Sequence, residues 1–245
     1  MIKLVSVNIE RSKHLECVLP FLEKENADVV CVQELMEYDI PALENATASP
    51  CFFTPTSHHP AEGKQGLEGL GIFSSAPLKH SEVFFYVGNG LPEREFDDTD
   101  IHTKHDTQGH AVVHIDINKN GTTFRIANTH FTWTPNGDAD DYQREDVKKF
   151  LAALEPLGEF VLCGDFNAPR IIEGNPGEIF SAIAAKYTDN IPAHYTTSID
   201  KDLHRAGDLQ LMVDGLFSTP TYRVSNVELR GGISDHMAII AQVEA

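Results

Sequence analysis

The chain has 245 residues, of which 41% are hydrophobic, and its formal net charge is −18 with histidine neutral. This length and apolar content allow a full hydrophobic core and predict a single globular domain over residues 1–245. The acidic balance argues against a protein that coats nucleic acid with a broad basic face, although a bound cation can reverse the local charge at a reaction site.

The distribution of apolar residues does not suggest a targeting or membrane segment. The first residues carry no apolar stretch of the signal-peptide type, and no apolar run is long enough to cross a bilayer. We therefore expect a cytoplasmic protein without membrane contact. Cys31 and Cys163 lie in apolar, strand-like runs and no CxxC spacing is present, so both are predicted to be small core residues.

Strand-like runs rich in Val, Ile and Phe dominate the pattern. In chain order, we predict strands at about 2–8, 28–34, 70–75, 82–87, 111–117, 123–129, 159–164, 211–217, 222–229 and 236–243. Helices are predicted at 12–25, with a kink or break at Pro20, at 142–155 and at about 177–187. Many strands with a few helices between them predict an α/β protein in which helices cover two packed sheets.

The segment 88–110 differs from its surroundings. It opens with turn residues and is then charged and rich in histidine. A long loop inside a compact domain is usually functional or mobile, so we expect this one near the active face. His102, His105 and His110 could bind a transition metal, but their spacing matches no firm motif and a solvated loop is the simpler interpretation.

Polar residues recur where apolar strands end. In chain order they are Asn8, Glu34, His130, Asp165 and Asn167. Asp214 lies within a predicted strand, and Asp235 with His236 opens the last one, so these three fit less neatly. Each residue alone has an ordinary interpretation as a turn, helix-start or core residue. Together they predict a site beyond the strand ends, where α/β sheets bind ligands.

The same residues lie in an ordered set of short motifs that spans residues 4 to about 240. The motifs are Val7-Asn8-Ile9, Val32-Gln33-Glu34, Asn128-Thr129-His130, Gly164-Asp165-Phe166-Asn167, Val213-Asp214 and Ser234-Asp235-His236. This set resembles the endonuclease/exonuclease/phosphatase superfamily, which has the DNase I-like fold. The resemblance implies a four-layer α/β/β/α sandwich, with two central mixed sheets flanked by helices, and a divalent-metal-dependent phosphoester hydrolase.

The resemblance also implies a metal site. Glu34 would be the main carboxylate ligand of Mg²⁺ or Mn²⁺, with Asn8 and Asp235 close to the metal and Glu10 as a further metal-side carboxylate. Mg²⁺ prefers oxygen ligands and is typically held by one or two carboxylates together with substrate phosphate. The residue types at these positions therefore suit the implied cofactor.

Further residues are implied to act on the phosphate. Asp165 and Asn167 would orient the attacking water and hold the phosphate or a second metal. The sequence leaves open whether Asp165 or His236 activates the water. The resemblance implies that two histidines, His130 and His236, face the scissile phosphate. Each would be oriented by a carboxylate, His236 by Asp214 and His130 by Glu68.

Three residues are candidate substrate contacts. Trp133 could stack on a base or sugar or simply cover the edge of the core. Arg144 and Arg205 could contact phosphate, although a surface ion pair is the simpler interpretation of Arg144, which lies on a predicted amphipathic helix.

The substrate class remains open between branches of the superfamily. His130 stands where abasic-site endonucleases tend to have Tyr, so the chain looks more like the DNase I, deadenylase and lipid or inositol phosphatase branches. No basic amphipathic helix is evident, which disfavours a lipid substrate. We expect a phosphodiesterase or nuclease that cleaves a nucleotide or single-stranded nucleic acid. The alternatives are a phosphomonoesterase for a small sugar or inositol phosphate and a non-catalytic binding module that keeps the fold.

Overall fold

The computed structural model describes residues 1–61 and 64–245. Its helices are α1 (Leu15–Glu25), α2 (Ile40–Thr47), α3 (Ile101–Thr107), α4 (Asp141–Leu154) and α5 (Glu178–Ala184). Its first seven strands are β1 (Ile2–Asn8), β2 (Val29–Met36), β3 (Cys51–Ala61), β4 (Lys64–Ser74), β5 (Leu78–Val87), β6 (His110–Lys119) and β7 (Thr122–His130). The remaining strands are β8 (Val161–Asp165), β9 (Ile171–Ile172), β10 (Asn175–Pro176), β11 (Thr188–Asp189), β12 (Asp214–Ser218), β13 (Arg223–Arg230) and β14 (Ala238–Glu244).

Two six-stranded sheets form the centre of the molecule. The first has the strand order β13-β14-β1-β2-β4-β3, and the second has the order β11-β12-β8-β7-β6-β5. Both sheets are mixed, because β1 runs parallel to β2 and β7 runs parallel to β8 while their other neighbours are antiparallel. In each sheet, therefore, one parallel pair of strands ends at the same edge.

Alternate residues along each strand face opposite layers, as the strand geometry requires. Leu4 packs between the two sheets, whereas Val5 packs under α1. On the other side, Val113 faces the space between the sheets and Val112 packs under α4. The predicted four-layer α/β/β/α sandwich is confirmed. Within the described residues, no helix is long and apolar enough to cross a membrane.

Buried amide groups tie the two sheets together near the ends of their parallel pairs. The Gln33 side-chain amide on β2 donates a hydrogen bond of 2.6 Å to the Asn128 side-chain oxygen on β7. The Asn128 amide in turn donates to the main-chain carbonyls of Val32, at 3.0 Å, and Gly71, at 3.1 Å. Because both side chains are fully buried, these bonds fix how the two sheets are placed against each other.

Several predicted elements differ from the observed ones. No strand was predicted over β3, which contains Pro55 and Pro60, yet β3 is the edge of its sheet, where proline is tolerated. The helix α1 is not broken at Pro20, because it continues to Glu25 with Phe21 and Leu22 buried against the sheet. The predicted loop 88–110 contains α3, and its last residues, 107–110, are buried.

Other sequence predictions agree with the structure. The helix α4 begins after Asp140, whose carboxylate accepts a hydrogen bond of 2.8 Å from the Gln143 main-chain N–H, as an N-cap does. Phe150, on the predicted apolar face of α4, is fully buried. Cys31 and Cys163 are buried free cysteines, as predicted.

Gly164 allows β8 to approach β7 closely just before the strand end that carries Asp165. Its φ is +148°, and a Cβ atom there would lie 2.0 Å from the Thr129 carbonyl oxygen. We predict that Gly164→Ala lowers the free energy of unfolding by at least about 3 kcal/mol, because it adds a backbone clash to an unfavourable φ.

The matched control is Gly158→Ala, since Gly158 also has a positive φ of 68° but has open space around it. This variant should lose about 1 kcal/mol through its backbone conformation alone. Urea unfolding followed by circular dichroism measures both changes. Equal losses in the two variants would contradict the close-approach explanation.

Candidate active site

The site lies where strands from both sheets end next to each other. In the register of the sheets, Asn8 at the end of β1 is beside Gln33 of β2, and His130 at the end of β7 is beside Asp165 at the end of β8. Asp214 fitted the sequence pattern poorly, but it opens β12, which runs antiparallel to β8 and pairs Asp214 with Asp165. The start of an antiparallel strand thus reaches the same edge as the ends of the parallel ones.

Asn8 joins the two halves of the site. Its side-chain amide donates hydrogen bonds of 3.1 Å to Glu34 in the first sheet and of 3.1 Å to Asp165 in the second. Its side-chain oxygen accepts a hydrogen bond of 3.0 Å from the Glu10 main-chain N–H. One buried side chain therefore fixes the separation of two carboxylates that come from different sheets.

A β-bulge directs Glu34 into the site. The pairing of β2 with β4 shifts by one residue between Val32 and Leu35, and Glu34 has a φ of +53°. Bulges re-aim side chains and often lie next to active sites, and a positive φ outside glycine is a strained conformation. The strand does not end at Glu34 as predicted, because β2 continues beyond the bulge to Met36.

Asp165 is surrounded by imidazole groups. Its Oδ2 atom lies 3.6 Å from His130 Nε2 and 3.7 Å from His236 Nε2. Its Oδ1 atom accepts a hydrogen bond of 2.7 Å from the Asn167 main-chain N–H. Asn167 has a φ of +48° and its side-chain amide donates to the Phe131 carbonyl oxygen at 2.9 Å. This turn holds the Asp165 carboxylate facing both histidines.

The pairing of His236 with Asp214 that the sequence suggested is present. The distance from His236 Nδ1 to Asp214 Oδ2 is 2.8 Å. Burial would lower the pKa of His236, but the charges of Asp214 and Asp165 raise it well above its ordinary value. His236 is therefore held as an imidazolium whose Nε2 atom points towards Asp165.

The main-chain carbonyl of His130 is also fixed in place. It accepts hydrogen bonds from His110 Nδ1 at 2.8 Å and from the Tyr86 hydroxyl at 3.3 Å. Burial lowers the pKa of His110 to about 3, so that this imidazole is neutral and its Nδ1 carries the donated proton. These two hydrogen bonds thus hold the end of β7 in place.

Two carboxylates and one imidazole gather on the side of β1. Donor atoms of Glu10, Asp235 and His14 all lie within 4.8 Å of one another. Burial, together with the charges of Glu10 and Glu34, raises the pKa of Asp235 to about 6. Burial would also raise the pKa of Glu34, but the charges of Arg11 and His130 lower it to about 2. The oxygen donors of this cluster are of the kind that a hard divalent cation prefers.

Glu68 does not orient His130 as the resemblance implied. Its carboxylate lies 3.6 Å from Arg11 and 3.8 Å from His59. Arg11 approaches Glu34 to 2.7 Å as well, so this guanidinium draws both carboxylates towards itself. Burial, and then the negative charge of Glu34, raises the pKa of Glu68 to about 8.

An open cleft of about 350 Å³ adjoins this cluster. It is lined by Arg11, Glu34, His59, Glu68, Phe96, Lys104, Gln108, His130, Trp133 and Asn167. The segment 88–110 supplies Phe96, Lys104 and Gln108, so it lies at the active face as expected. Trp133 is 36% exposed and borders the cleft, where a substrate could reach it.

The other candidates from the sequence lie elsewhere or bind differently. Arg144 pairs with Glu178 and with Asp141 on the exposed face of α4, which is the surface ion pair that the sequence also allowed. Arg205 is exposed, and its positive charge acts on Lys104 at the cleft.

The three histidines of the 88–110 segment do not gather around one point within the described chain. His105 lies 3.0 Å from Asp146, His102 contacts the Tyr142 hydroxyl at 2.6 Å, and His110 bonds to the main chain. The transition-metal interpretation of these residues is therefore wrong. The solvated-loop interpretation holds for His102, which is exposed, but not for His105, which contacts α4, or for His110, which is buried in β6.

Three ionisable residues at the cleft had no predicted role. Arg11 lies one residue beyond Glu10, His59 lies in the edge strand β3, and Lys104 lies in α3. A cation close to a carboxylate motif was the only signal for Arg11, and His59 and Lys104 lie far from every motif along the chain. Their approach to the site depends on the packing of β3 and α3.

The comparisons with known proteins agree with this geometry. The model of the Endonuclease/Exonuclease/phosphatase family matches residues 5–236. No curated protein matches the sequence closely enough to count as a relative.

Many solved structures share the fold. An endonuclease/exonuclease/phosphatase from Beutenbergia cavernae DSM 12333 has a TM-score of 0.74 at 16% identity, over 99% of this chain and 71% of that one. A mannosyl-6-phosphatase from Bacteroides thetaiotaomicron VPI-5482 has a TM-score of 0.70 at 13% identity, over 100% of both chains. The human Nocturnin catalytic domain, solved with a bound sulfate anion, has a TM-score of 0.69 at 16% identity, over 99% of this chain and 93% of that one.

At these identities the likeness of the solved structures establishes the fold alone, while the family match covers nearly the whole chain. The chain belongs to the endonuclease/exonuclease/phosphatase family.

Proposed function

We propose that the protein is a divalent-metal-dependent phosphoester hydrolase that cleaves a phosphodiester in a nucleotide or single-stranded nucleic acid. The observation that carries this proposal is the convergence of His130, His236 and Asn8 on Asp165, from separate parts of the chain. A carboxylate and two imidazoles facing one point can hold an attacking water and a phosphate together.

The carboxylate cluster supports a divalent cation as cofactor. Glu34, Asp235 and Glu10 would hold Mg²⁺ or Mn²⁺ with the help of Asn8, since burial and mutual repulsion raise the pKa of Asp235 and a cation would relieve that repulsion. When bound, the cation would neutralise charge on the phosphate. Arg11 is close enough to Glu34 to share the neutralisation of this cluster.

The residues on the other side of the site would handle the protons. Asp165 is held as an acceptor by Asn8 and by the Asn167 main chain, so its Oδ2 atom would take the proton of the attacking water. Asp214 keeps His236 protonated, so His236 Nε2 would donate a hydrogen bond to a phosphate oxygen as charge develops there. We therefore propose that Asp165, rather than His236, activates the water.

The cleft supports a small or flexible substrate. Its walls include residues of the segment 88–110 and Trp133, and it leaves about 350 Å³ of open space beside the site. A net charge of −18 disfavours a broad duplex-binding face. A phosphomonoesterase for a small sugar phosphate is the second candidate, because a mannosyl-6-phosphatase shares the fold.

A substrate panel separates these functions. Initial rates with Mg²⁺ on bis-p-nitrophenyl phosphate, p-nitrophenyl phosphate and a labelled single-stranded oligonucleotide report diester, monoester and nuclease activity. Faster cleavage of the diester and the oligonucleotide supports the proposal. Release of inorganic phosphate from monoesters alone supports the second candidate. No turnover of any phosphoester, with metal bound, would leave only a non-catalytic binding module.

Metal removal tests the cofactor. We predict that EDTA abolishes turnover and that added Mg²⁺ or Mn²⁺ restores it. Glu34→Gln should raise the Mg²⁺ concentration for half-maximal activity by at least about tenfold, because the variant loses the main charged oxygen donor. Activity that persists in chelator would remove the cation from the mechanism.

Two substitutions test the groups that would handle protons. We predict that Asp165→Asn and His236→Ala each reduce kcat by at least about 100-fold, since each removes a proton acceptor or donor at the phosphate. His80→Ala is the control, because His80 is an exposed residue on β5 outside the cleft. Circular dichroism checks the fold of each variant, and unchanged rates in both would exclude this assignment of the site.

Asp214 is predicted to act through His236. Asp214→Asn should lower the pKa of His236, measured by NMR titration of the imidazole, because it removes the nearest negative charge. We expect kcat to fall by at least about 100-fold. Asp116→Asn breaks a comparable carboxylate pair, with Arg125, and should leave both quantities near those of the wild type. An unshifted His236 pKa would contradict the positioning role.

A further inference from the structure

Lys104 brings a positive charge without an ion-pair partner among the described residues into the cleft. It lies on α3, and its ammonium group rests 3.8 Å from the centre of the Trp133 ring and 5.9 Å from that of Phe96. An aromatic face attracts a cation without neutralising it. Lys104 therefore keeps its charge available to an anion that enters the cleft.

Three other partly buried cations have carboxylate partners. Arg11 lies 2.7 Å from Glu34, Arg125 lies 2.7 Å from Asp116, and Arg170 lies 2.9 Å from Asp189. Within residues 1–61 and 64–245, no carboxylate lies within 4 Å of the Lys104 ammonium group. This is unexpected in a chain with 37 acidic and 19 basic residues, because a partly desolvated charge is normally paired.

The helix that carries Lys104 is fixed in place. Asp100 accepts hydrogen bonds from the main-chain N–H groups of His102 and Thr103, which caps the start of α3. The His105 ring lies 3.0 Å from Asp146 on α4, and it stacks on Tyr142 with ring centres 4.1 Å apart. Because these contacts fix α3 on both sides of Lys104, the ammonium group is positioned before any ligand binds.

Lys104 lies in the same cleft as the proposed site of cleavage. It lines this cleft together with Glu34 and His130, and the charges of Glu34, Asp98 and Glu68 act on it although none of these carboxylates forms an ion pair with it in the described structure. Its ammonium group rests on the Trp133 ring rather than on Glu34, so an anion that it binds need not be the phosphate held at the metal-side carboxylates.

We propose that Lys104 binds a second, non-scissile phosphate group of the substrate, with Trp133 as the residue that positions its ammonium group. This inference rests on the proposed phosphoesterase function and narrows its substrate class. The favoured substrate is a nucleotide or oligonucleotide fragment that carries another phosphate next to the one that is cleaved. A phosphate with two negative charges matches an unpaired ammonium group better than a neutral sugar or base does.

Ligand binding tests this subsite without requiring turnover. Isothermal titration calorimetry, with Ca²⁺ in place of Mg²⁺, compares thymidine 3′,5′-bisphosphate with thymidine 5′-monophosphate and thymidine 3′-monophosphate. The wild-type protein should bind the bisphosphate about 10- to 100-fold more tightly than at least one monophosphate, as a charge-assisted hydrogen bond allows. The monophosphate that binds more weakly identifies which phosphate Lys104 contacts.

Variants show whether Lys104 causes the preference. In Lys104→Gln the ratio of affinities should fall close to one, and in Lys104→Arg it should be largely kept. Lys148→Gln makes the same charge change on α4, where Lys148 is 72% exposed and paired with Glu145, and should leave the ratio unchanged.

Two results would overturn the subsite. One is a wild-type protein that binds the bisphosphate no better than either monophosphate. The other is a Lys104→Gln variant that weakens all three ligands equally, which would place Lys104 at the scissile phosphate. A protein that prefers the bisphosphate through Lys104 but hydrolyses no phosphoester would keep the subsite and refute the hydrolase function, so the two failures are distinguishable.

Discussion

The site depends on hydrogen bonds between buried amides that hold the two sheets in one fixed relation. Gln33, Asn128 and Asn8 cross the interface between the sheets with bonds of 2.6 to 3.1 Å. Apolar packing alone is nearly indifferent to small sliding of one sheet over the other, whereas a buried amide without its partner costs about 1–3 kcal/mol. These bonds therefore set the alignment, and the alignment brings Glu34 and Asp165 to the same side-chain nitrogen of Asn8, which donates to both.

The electrostatics of the site follow from that alignment. Carboxylates are concentrated at one edge, where burial and then the charge of neighbouring carboxylates raise the pKa of Glu68 to about 8 and that of Asp235 to about 6. Arg11 offsets part of this charge on one side, and His236 offsets part of it on the other. Negative charge is thus concentrated where the proposed chemistry needs a cation and a phosphate. The strained backbone conformation of Glu34, with its positive φ, lies at the same place.

The segment 88–110 shapes the cleft beside the strand ends. The motifs that carry the family resemblance lie on the strands and form the edge where Asp165 and the histidines meet. The cleft beside that edge is bordered by α3, which two histidine contacts fix to α4. Connecting segments often carry binding residues on a rigid scaffold, and the substrate preference proposed for this chain rests on Lys104 in this segment.

Local patterns of sequence were enough to predict much of this structure. Alternating apolar residues identified most central strands, the spacing of Val147, Phe150 and Leu154 identified α4, and the resemblance carried by the ordered motifs identified the sandwich and most residues at the site. The edge strand β3 was not predicted, because its prolines and histidines read as a loop. A kink or a break was predicted at Pro20, and the break is absent because packing of the neighbouring apolar residues holds α1 together.

The sequence by itself determined which residue types stand at the strand ends, since each of those motifs is local and follows an apolar strand. The resemblance also implied the pair of His236 with Asp214, which the structure contains. Only the tertiary structure directed Glu68 to Arg11 and His59 instead of His130 and brought Lys104 to the cleft. The physical reason is that contacts between residues far apart in the chain depend on sheet alignment and on how α3 packs. Neither of these can be predicted from a short stretch of sequence.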